Sequence, residues 1–370
     1  MSARTIFQSF SGLSNAIISV SSADLSFPVR RLRSTSPSSR WRSKLGWNIV
    51  AGFNAKFDFT EATSGDAVAT LTATNYASGQ SLAAALTIQM NLVATDNTYS
   101  VTYDSSTAKF TIARATGSTA FGIEWSTGTN TAISVGKCLG FSIAADDTGS
   151  TSYVSDNVTY HSREFIVIET QTAVTGAFAG TIGGNFLSTA TITVQANASD
   201  AWVSPSVSET MAATTSTVPM RIDYFAEATH AFWRLLIEDT TNTAGFSELA
   251  VFHVSNFIEP SYDFNASWTE GRSELTGIGY ADQGANFIDE KPTRRIYNVS
   301  FPALSESEKT NSFDPFLSFV KIGKPFFFSF EPDSDVTFTR YVMLTKASTY
   351  RRVPGANRWA LSLSLSEVLG

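Results

Sequence analysis

Apolar residues in this chain recur at every second position. Phe53, Ala55, Phe57 and Phe59 alternate with Asn54, Lys56 and Asp58. Successive strand side chains point to opposite faces, so this period marks a half-buried strand rather than a helix. The pattern returns at Ala190-Ile192-Val194-Ala196, Tyr262-Phe264-Ala266-Trp268 and Tyr297-Val299-Phe301. It closes the chain at Leu361-Leu363-Leu365, interleaved with Ser362, Ser364 and Ser366. Thr and Ser flank the apolar positions, and Gly or Asn-Asp clusters punctuate them. The expectation is a mainly β protein of antiparallel sheets.

Two segments break the period. Ser78 can cap a helix that places Leu82, Leu86, Met90 and Val93 on one face. Ser305-Glu306-Ser307-Glu308 fits a capping box, and Asp314-Pro315 predicts a fresh helical start running through Phe316, Phe319 and Val320. There are no sustained heptads and no Gly-X-Y repeat, which makes a trimeric fibre shaft a poor reading.

A chain of 370 residues exceeds what one core usually serves, so two or three domains are expected. With 43% hydrophobic and 16% charged residues, it is not a largely disordered polymer. One cysteine, Cys138, permits no intrachain disulfide, and a Cys/His zinc site would consume it and all three histidines. No cofactor or metal is expected. No apolar run reaches the length of a membrane span, so membrane insertion is not expected. Polar residues Gln8, Ser9, Ser11, Ser14 and Asn15 interrupt the N-terminus, which reads as mature sequence rather than a secretory signal.

Charge is unevenly spread. Residues 1–59 hold eight basic and two acidic residues, a local +6, so the net −7 leaves −13 on the remainder. So acidic a body argues against nucleic-acid readout and suits assembly of a basic edge on an acidic neighbour.

Residues 60–155 differ in texture from their flanks: rich in small residues, poor in charge. After the helix, Tyr99-Val101-Tyr103, a polar turn and Phe110-Ile112 form a hairpin by spacing. Phe121-Ile123-Trp125, a Ser-Thr-Gly-Thr-Asn loop and Leu139-Gly140-Phe141 follow. The expected organisation is a discontinuous β-sandwich over 1–59 plus 156–260, an inserted α+β module over 60–155, and a C-terminal β-rich domain over 261–370.

Trp41-Arg42-Ser43, Asn185 to Ser188 and Trp233 to Asp239 resemble the elements of a discoidin-like β-sandwich as found in bacteriophage virion proteins. Ser34 to Ser39 stands where that pattern usually has a glycine-aspartate loop. Tyr76 to Leu86, Tyr99 to Ser106, Trp125 to Asn130 and Leu139 to Phe141 are similar to a recurrent phage structural module. Phe326 to Phe330 and the terminal Leu-Ser-Leu-Ser-Glu-Val-Leu look like the β-rich ends of distal-tail-type tail-tip proteins. The resemblance implies a virion protein of the phage tail tip or baseplate, made in the host cytoplasm. Its implied partners are copies of itself in a ring and other tail proteins. A receptor-binding tail protein that reads host surface glycans is the alternative. A tail-borne glycan-degrading enzyme or a head–tail neck component comes third.

No constellation for chemistry stands out. His161, His230 and His253 are dispersed outside any nucleophile or metal motif and read as structural, and Cys138 reads as a small buried hydrophobe. Asp146-Asp147 and Glu238-Asp239 are local doublets whose members would point to opposite faces, unlike a glycosidase pair. Glu331, Asp333 and Asp335 could ligate calcium in a loop but lack the EF-hand glycine and distal glutamate. Two sets are candidates for binding. Arg30, Arg31, Arg33, Arg40, Arg42 and Lys44 put six basic residues in fifteen without an acid, with Trp41 as the apolar anchor of a subunit docking segment. Trp125, Ser126, Thr127 and Asn130 offer a glycan contact, although the alternation from Phe121 and Ile123 favours Trp125 as core.

Overall fold

The computed structural model describes residues 16–117, 119–214, 219–262, 264, 268–274, 277–280, 286–289, 293–330, 338–354 and 357–369. Ala266 of the Tyr262–Trp268 alternation and the Glu331/Asp333/Asp335 loop lie outside the described residues, as do positions 1–15 of the N-terminal segment. The chain is mainly β, with 47% strand against 14% helix, in several antiparallel sheets.

Among the described residues the largest sheet has seven strands. Its spine is a pair of 19-residue strands, Glu164–Ile182 and Met220–Glu238, paired from Glu164–Ile237 to Ile182–Met220. The pairing shifts register between Glu169 and Val174 and again between Gly176 and Phe178, and Gln171 takes a left-handed φ of 65°. Such bulges bend a strand and re-aim its neighbours. Accordingly Ile17–Val20 runs along residues 166–169, whereas Val251–Ser255 runs along 178–182 of the same strand. Thr191–Asn197 lines the opposite side of the spine, with Val207–Thr210 beyond it. The expected alternation at Ala190, Ile192, Val194 and Ala196 points all four into a core shared with Trp41, Ile166, Ile168, Trp233, Leu235 and Ile237.

The chain leaves this sheet at Gly46 and returns at Ser162, and the two positions touch: the Ser162 amide donates to the Gly46 carbonyl at 3.4 Å. Between them lies a second core. Trp47, Phe57, Phe59, Phe110, Phe121, Trp125 and Phe141 pack with Leu82, Leu86 and Met90 of the helix Gly79–Val93. The helix starts where Ser78 and Ser81 cap each other reciprocally. Val93, expected on its buried face, is instead exposed in the last turn. An expected boundary also shifts. A cut between 59 and 60 would bisect the strand Lys56–Glu61, whose Phe57 and Phe59 belong to this second core together with Trp47 and Ile49.

The Leu139-Gly140-Phe141 tripeptide has a backbone reason. Gly140 ends the short helix Gly136–Leu139 at φ 83°, and a Cβ there would sit 2.4 Å from the Asn157 carbonyl oxygen. The Asn157 amide donates to the Gly140 carbonyl, so the close approach seals the end of the module onto its middle.

Among the described residues the C-terminal sheet has six strands, with Arg294–Ser305 and Arg358–Glu367 at its centre. Tyr297, Val299, Phe301, Leu361, Leu363 and Leu365 point to one face, as alternation predicts, and pack under the helical segment. That segment departs from expectation. The capping box at Ser305 and Glu308 forms, but Asp314-Pro315 does not open a fresh helix. A π-turn over Lys309–Phe313 carries the chain straight into Asp314–Val320. Pro315 sits in the first turn after the π-turn, where its missing N–H is tolerated. Phe326 and Phe328 enter this core, while Phe327 points the opposite way against Phe178 and Tyr341. Gly180 makes room for it: a Cβ there would fall 2.5 Å from the Phe327 ring.

Candidate functional site

The basic segment is only partly available for docking. It consists of a 3₁₀ turn over Val29–Arg33 and the short strand Trp41–Arg42, which pairs with Glu248–Leu249. Trp41 is not an apolar anchor: it is 0% exposed, lies in the sheet core and donates its indole N–H to the Ser22 carbonyl. Arg40 and Arg42 converge on Glu248. Arg40 Nη1 donates to Oε1 at 2.7 Å, while Arg42 Nε and Nη2 donate to Oε2 at 3.0 and 2.7 Å. The Arg42 guanidinium is sandwiched between the rings of Phe27 and Phe246, at 4.0 and 4.2 Å. Burial would raise the Glu248 carboxyl, but the two arginines outweigh it and hold it below the usual range. Arg31 stacks on Phe27, and Arg33 donates to the Ala16 carbonyl while remaining exposed.

Arg30, Arg33 and Lys44 therefore carry the charge that this edge shows to solvent. Leu25 lies in the turn just before this segment. The Asp24 amide donates to the Arg42 carbonyl and the Lys44 amide to Ser22 Oγ, so the turn bearing Leu25 lies against segment 42–45. Leu25 is 97% exposed and Leu45 61%. Sequence reasoning missed this pair, because an isolated leucine in a polar turn carries no periodic signal.

The second candidate set is used internally. Trp125 is 1% exposed, packs edge-on against Phe57 and beside Phe141, and donates its indole N–H to Asp147 at 2.9 Å. Asp146 accepts from the amides and hydroxyls of both Ser126 and Thr127, while Asn130 donates to Asp58 from its amide N–H and its side chain. This loop is braced by carboxylates and presents no ring for a sugar, which corrects the glycan assignment of Trp125, Ser126, Thr127 and Asn130.

The titratable residues are likewise tied into the structure. His161 and His253 are buried, and burial pushes them down to about 4 and about 3. His230 is half-buried beside Trp233. Cys138 is buried with Asn54 donating to its sulfur, and burial raises its thiol. Asp146 and Asp147 both serve the loop at Trp125–Thr127, whereas the Glu238/Asp239 doublet divides between different partners. Glu238 accepts from Lys137 and Arg163, whereas Asp239 accepts from Asn242 and the Leu187 amide. Among the described residues no group of three or more His, Cys, Asp or Glu is arranged to hold a metal ion, and no helix is long and apolar enough to cross a membrane.

One buried acid escaped sequence reasoning. Glu164 sits where the N-terminal strand, the start of the second core and the sheet spine meet. Its Oε1 accepts from Asn48 Nδ2 at 2.5 Å and Ser162 Oγ at 3.1 Å, and its Oε2 from the hydroxyls of Ser21 and Ser22. Burial raises this carboxyl to about 7 despite those four donors. The Ser and Asn partners are scattered through the sequence, so no local motif announces them.

The outer face of the C-terminal sheet carries a groove of about 390 Å³. Asn298, Ser300, Ser362 and Ser364 floor it, with Trp268, Thr269, Lys346 and Thr349 around them. The floor is knitted crosswise: Ser364 Oγ donates to Asn298 Oδ1 at 2.7 Å, and Ser300 and Ser362 share a bond at 3.4 Å.

No protein-family model matches this chain, and no curated protein matches it.

Proposed function

We propose that this chain is a structural virion protein of a phage tail tip or baseplate, assembling with copies of itself in a ring and organising neighbouring tail proteins. The observation that carries the assembly reading is the Leu25 edge. Leu25 is 97% exposed in a turn that lies against segment 42–45, on an edge whose exposed charges include Arg30, Arg33 and Lys44, in a chain of net charge −7. An exposed apolar residue on a predominantly basic edge fits a contact with an acidic partner, and the rest of this chain is acidic. The tail assignment rests on the resemblances in the sandwich, module and C-terminal motifs. A non-enzymatic role is supported by the way the buried carboxylates Glu164, Asp239 and Glu248 are absorbed into internal hydrogen bonds and the His161 and His253 rings into the interior.

Native mass spectrometry over a concentration series, at low and high salt, tests the reading. The parent should form a closed oligomer, alone or with tail proteins. Leu25→Ser combined with Arg30→Glu, Arg33→Glu and Lys44→Glu should return it to monomer with an unchanged melting temperature, because exposed side chains contribute little to the fold. A parent that stays monomeric under all these conditions, or a variant that assembles as well as the parent, removes the proposal.

A further inference from the structure

Among the described residues Arg234 is a buried cation that no carboxylate meets. It stands on the spine strand Met220–Glu238, opposite Val167 and Gln195 of the flanking strands. Its side chain lies on the face of the large sheet turned away from the core of Trp41 and Trp233. Only 5% of it is exposed, and burial of this degree normally brings a charged partner. Here Nε and Nη2 donate only to the neutral Oε1 of Gln195, at 2.8 and 2.5 Å. The neighbouring cations are better served, because Lys137 and Arg163 both pair with Glu238. Asp200, the other acid close by, accepts the Trp202 indole N–H and makes no ion pair with Arg234. Three cations therefore face two carboxylates. Burial and the Arg163 charge bring the Arg234 guanidinium down to about 10.

The surroundings form a niche for an anion. The Arg234 guanidinium carbon lies over the Trp202 ring at 4.5 Å and over the Phe53 ring at 5.8 Å. Asn197 braces the loop that carries Trp202, donating to the Ala201 carbonyl and accepting from Ser206 Oγ. Gln195 takes the Nε–Nη2 edge of the guanidinium, which leaves the Nη1–Nη2 edge. Nη1 meets no acceptor among the described residues, and it is not sealed from solvent. That edge matches the two oxygens of a carboxylate. One carboxylate neutralises the single excess positive charge, whereas a phosphate dianion would overshoot it beside Asp200. Val203, 75% exposed and next to Trp202, adds apolar surface outside the niche.

We infer that Arg234 binds a small organic monocarboxylate, with its head on the Nη1–Nη2 edge and its apolar body against Trp202 and Val203. The inference stands on this face alone and holds whether or not the chain forms a ring.

Isothermal titration and tryptophan fluorescence of the full chain test it, with butyrate, cyclohexanecarboxylate and phosphate as probes and chloride holding the ionic strength constant. Both carboxylates should bind saturably at millimolar concentration, and phosphate roughly tenfold more weakly. Arg234→Met keeps a long side chain without the charge, so it should abolish binding without lowering the melting temperature. Val203→Asp places a like charge at an exposed position and should weaken cyclohexanecarboxylate roughly threefold or more in a fully folded chain. This second variant carries the test should the first not fold. Failure of both carboxylates to saturate at tens of millimolar overturns the inference. Phosphate binding as tight as theirs does the same, as does carboxylate binding that survives Arg234→Met or is unchanged in Val203→Asp.

Discussion

Replacing Glu164 by Gln should flatten part of the pH dependence of stability. The carboxyl is fully buried and accepts four hydrogen bonds without a cation among the donors. Its folded-state pKa is raised from 4.5 to about 7. Between those values the folded chain keeps a proton that the unfolded chain has released, so stability falls as pH rises through this window. The gap of 2.5 units, at 1.36 kcal/mol per unit, amounts to about 3 kcal/mol lost by pH 8 relative to pH 4. Glutamine copies the protonated acid in shape, and the Ser21, Ser22 and Ser162 hydroxyls can rotate to accept its N–H. The variant should therefore match the parent near pH 4 and exceed it by up to about 3 kcal/mol at pH 8. Urea titrations of both proteins at several pH values read this directly. Taking the difference cancels groups common to both chains, including His161 and His253. Parallel profiles for variant and parent would refute the reasoning.

Trp125→Ala should cost about 3–5 kcal/mol, since it empties a core site between Phe57 and Phe141 and strands Asp147; calorimetry checks this. Gly140→Ala should cost about 2 kcal/mol or more, because φ 83° and the 2.4 Å approach to the Asn157 carbonyl both exclude a side chain; a smaller change in urea midpoint would refute it. Excising residues 47–161 and joining Gly46 to Ser162 should leave a cooperatively folded remainder, whereas removing 60–155 should not, because it abandons Phe57 and Phe59. Circular dichroism and thermal melts distinguish the two deletions.

Strand positions with one dry and one wet face were readable in advance. Tyr297-Val299-Phe301 and Leu361-Leu363-Leu365 needed only the alternation of the pleat, and Ser78 and Ser305 needed only local capping chemistry. Of the spine strands, the sequence shows only Trp233 to Asp239, as one element of the discoidin-like resemblance. Their bulges shift the pairing through Glu169–Phe178, and a shifted register erases the period. The basic segment misled for a different reason. Arg42 meets Glu248 across 206 residues of sequence, and a local count of charge cannot see that partner. Ser362 and Ser364 on the outer face of the C-terminal sheet are legible from alternation, but their pairing with Ser300 and Asn298 comes only with the folded register.

The touching ends of the second core also bear on the order in which the chain folds. The strand Ile17–Val20 must find residues 166–169 across the whole of segment 47–161. If that segment is still unstructured, closing it costs roughly 3–4 kcal/mol more chain entropy than closing a tight turn. Once the segment has folded, Gly46 and Ser162 are already neighbours, and the sandwich sees little more than a short turn. The second core is therefore expected to form first and to act as the nucleus that speeds closure of the large sheet. Mutations that slow its folding should then appear as slow sheet formation far away, at strands that they never touch.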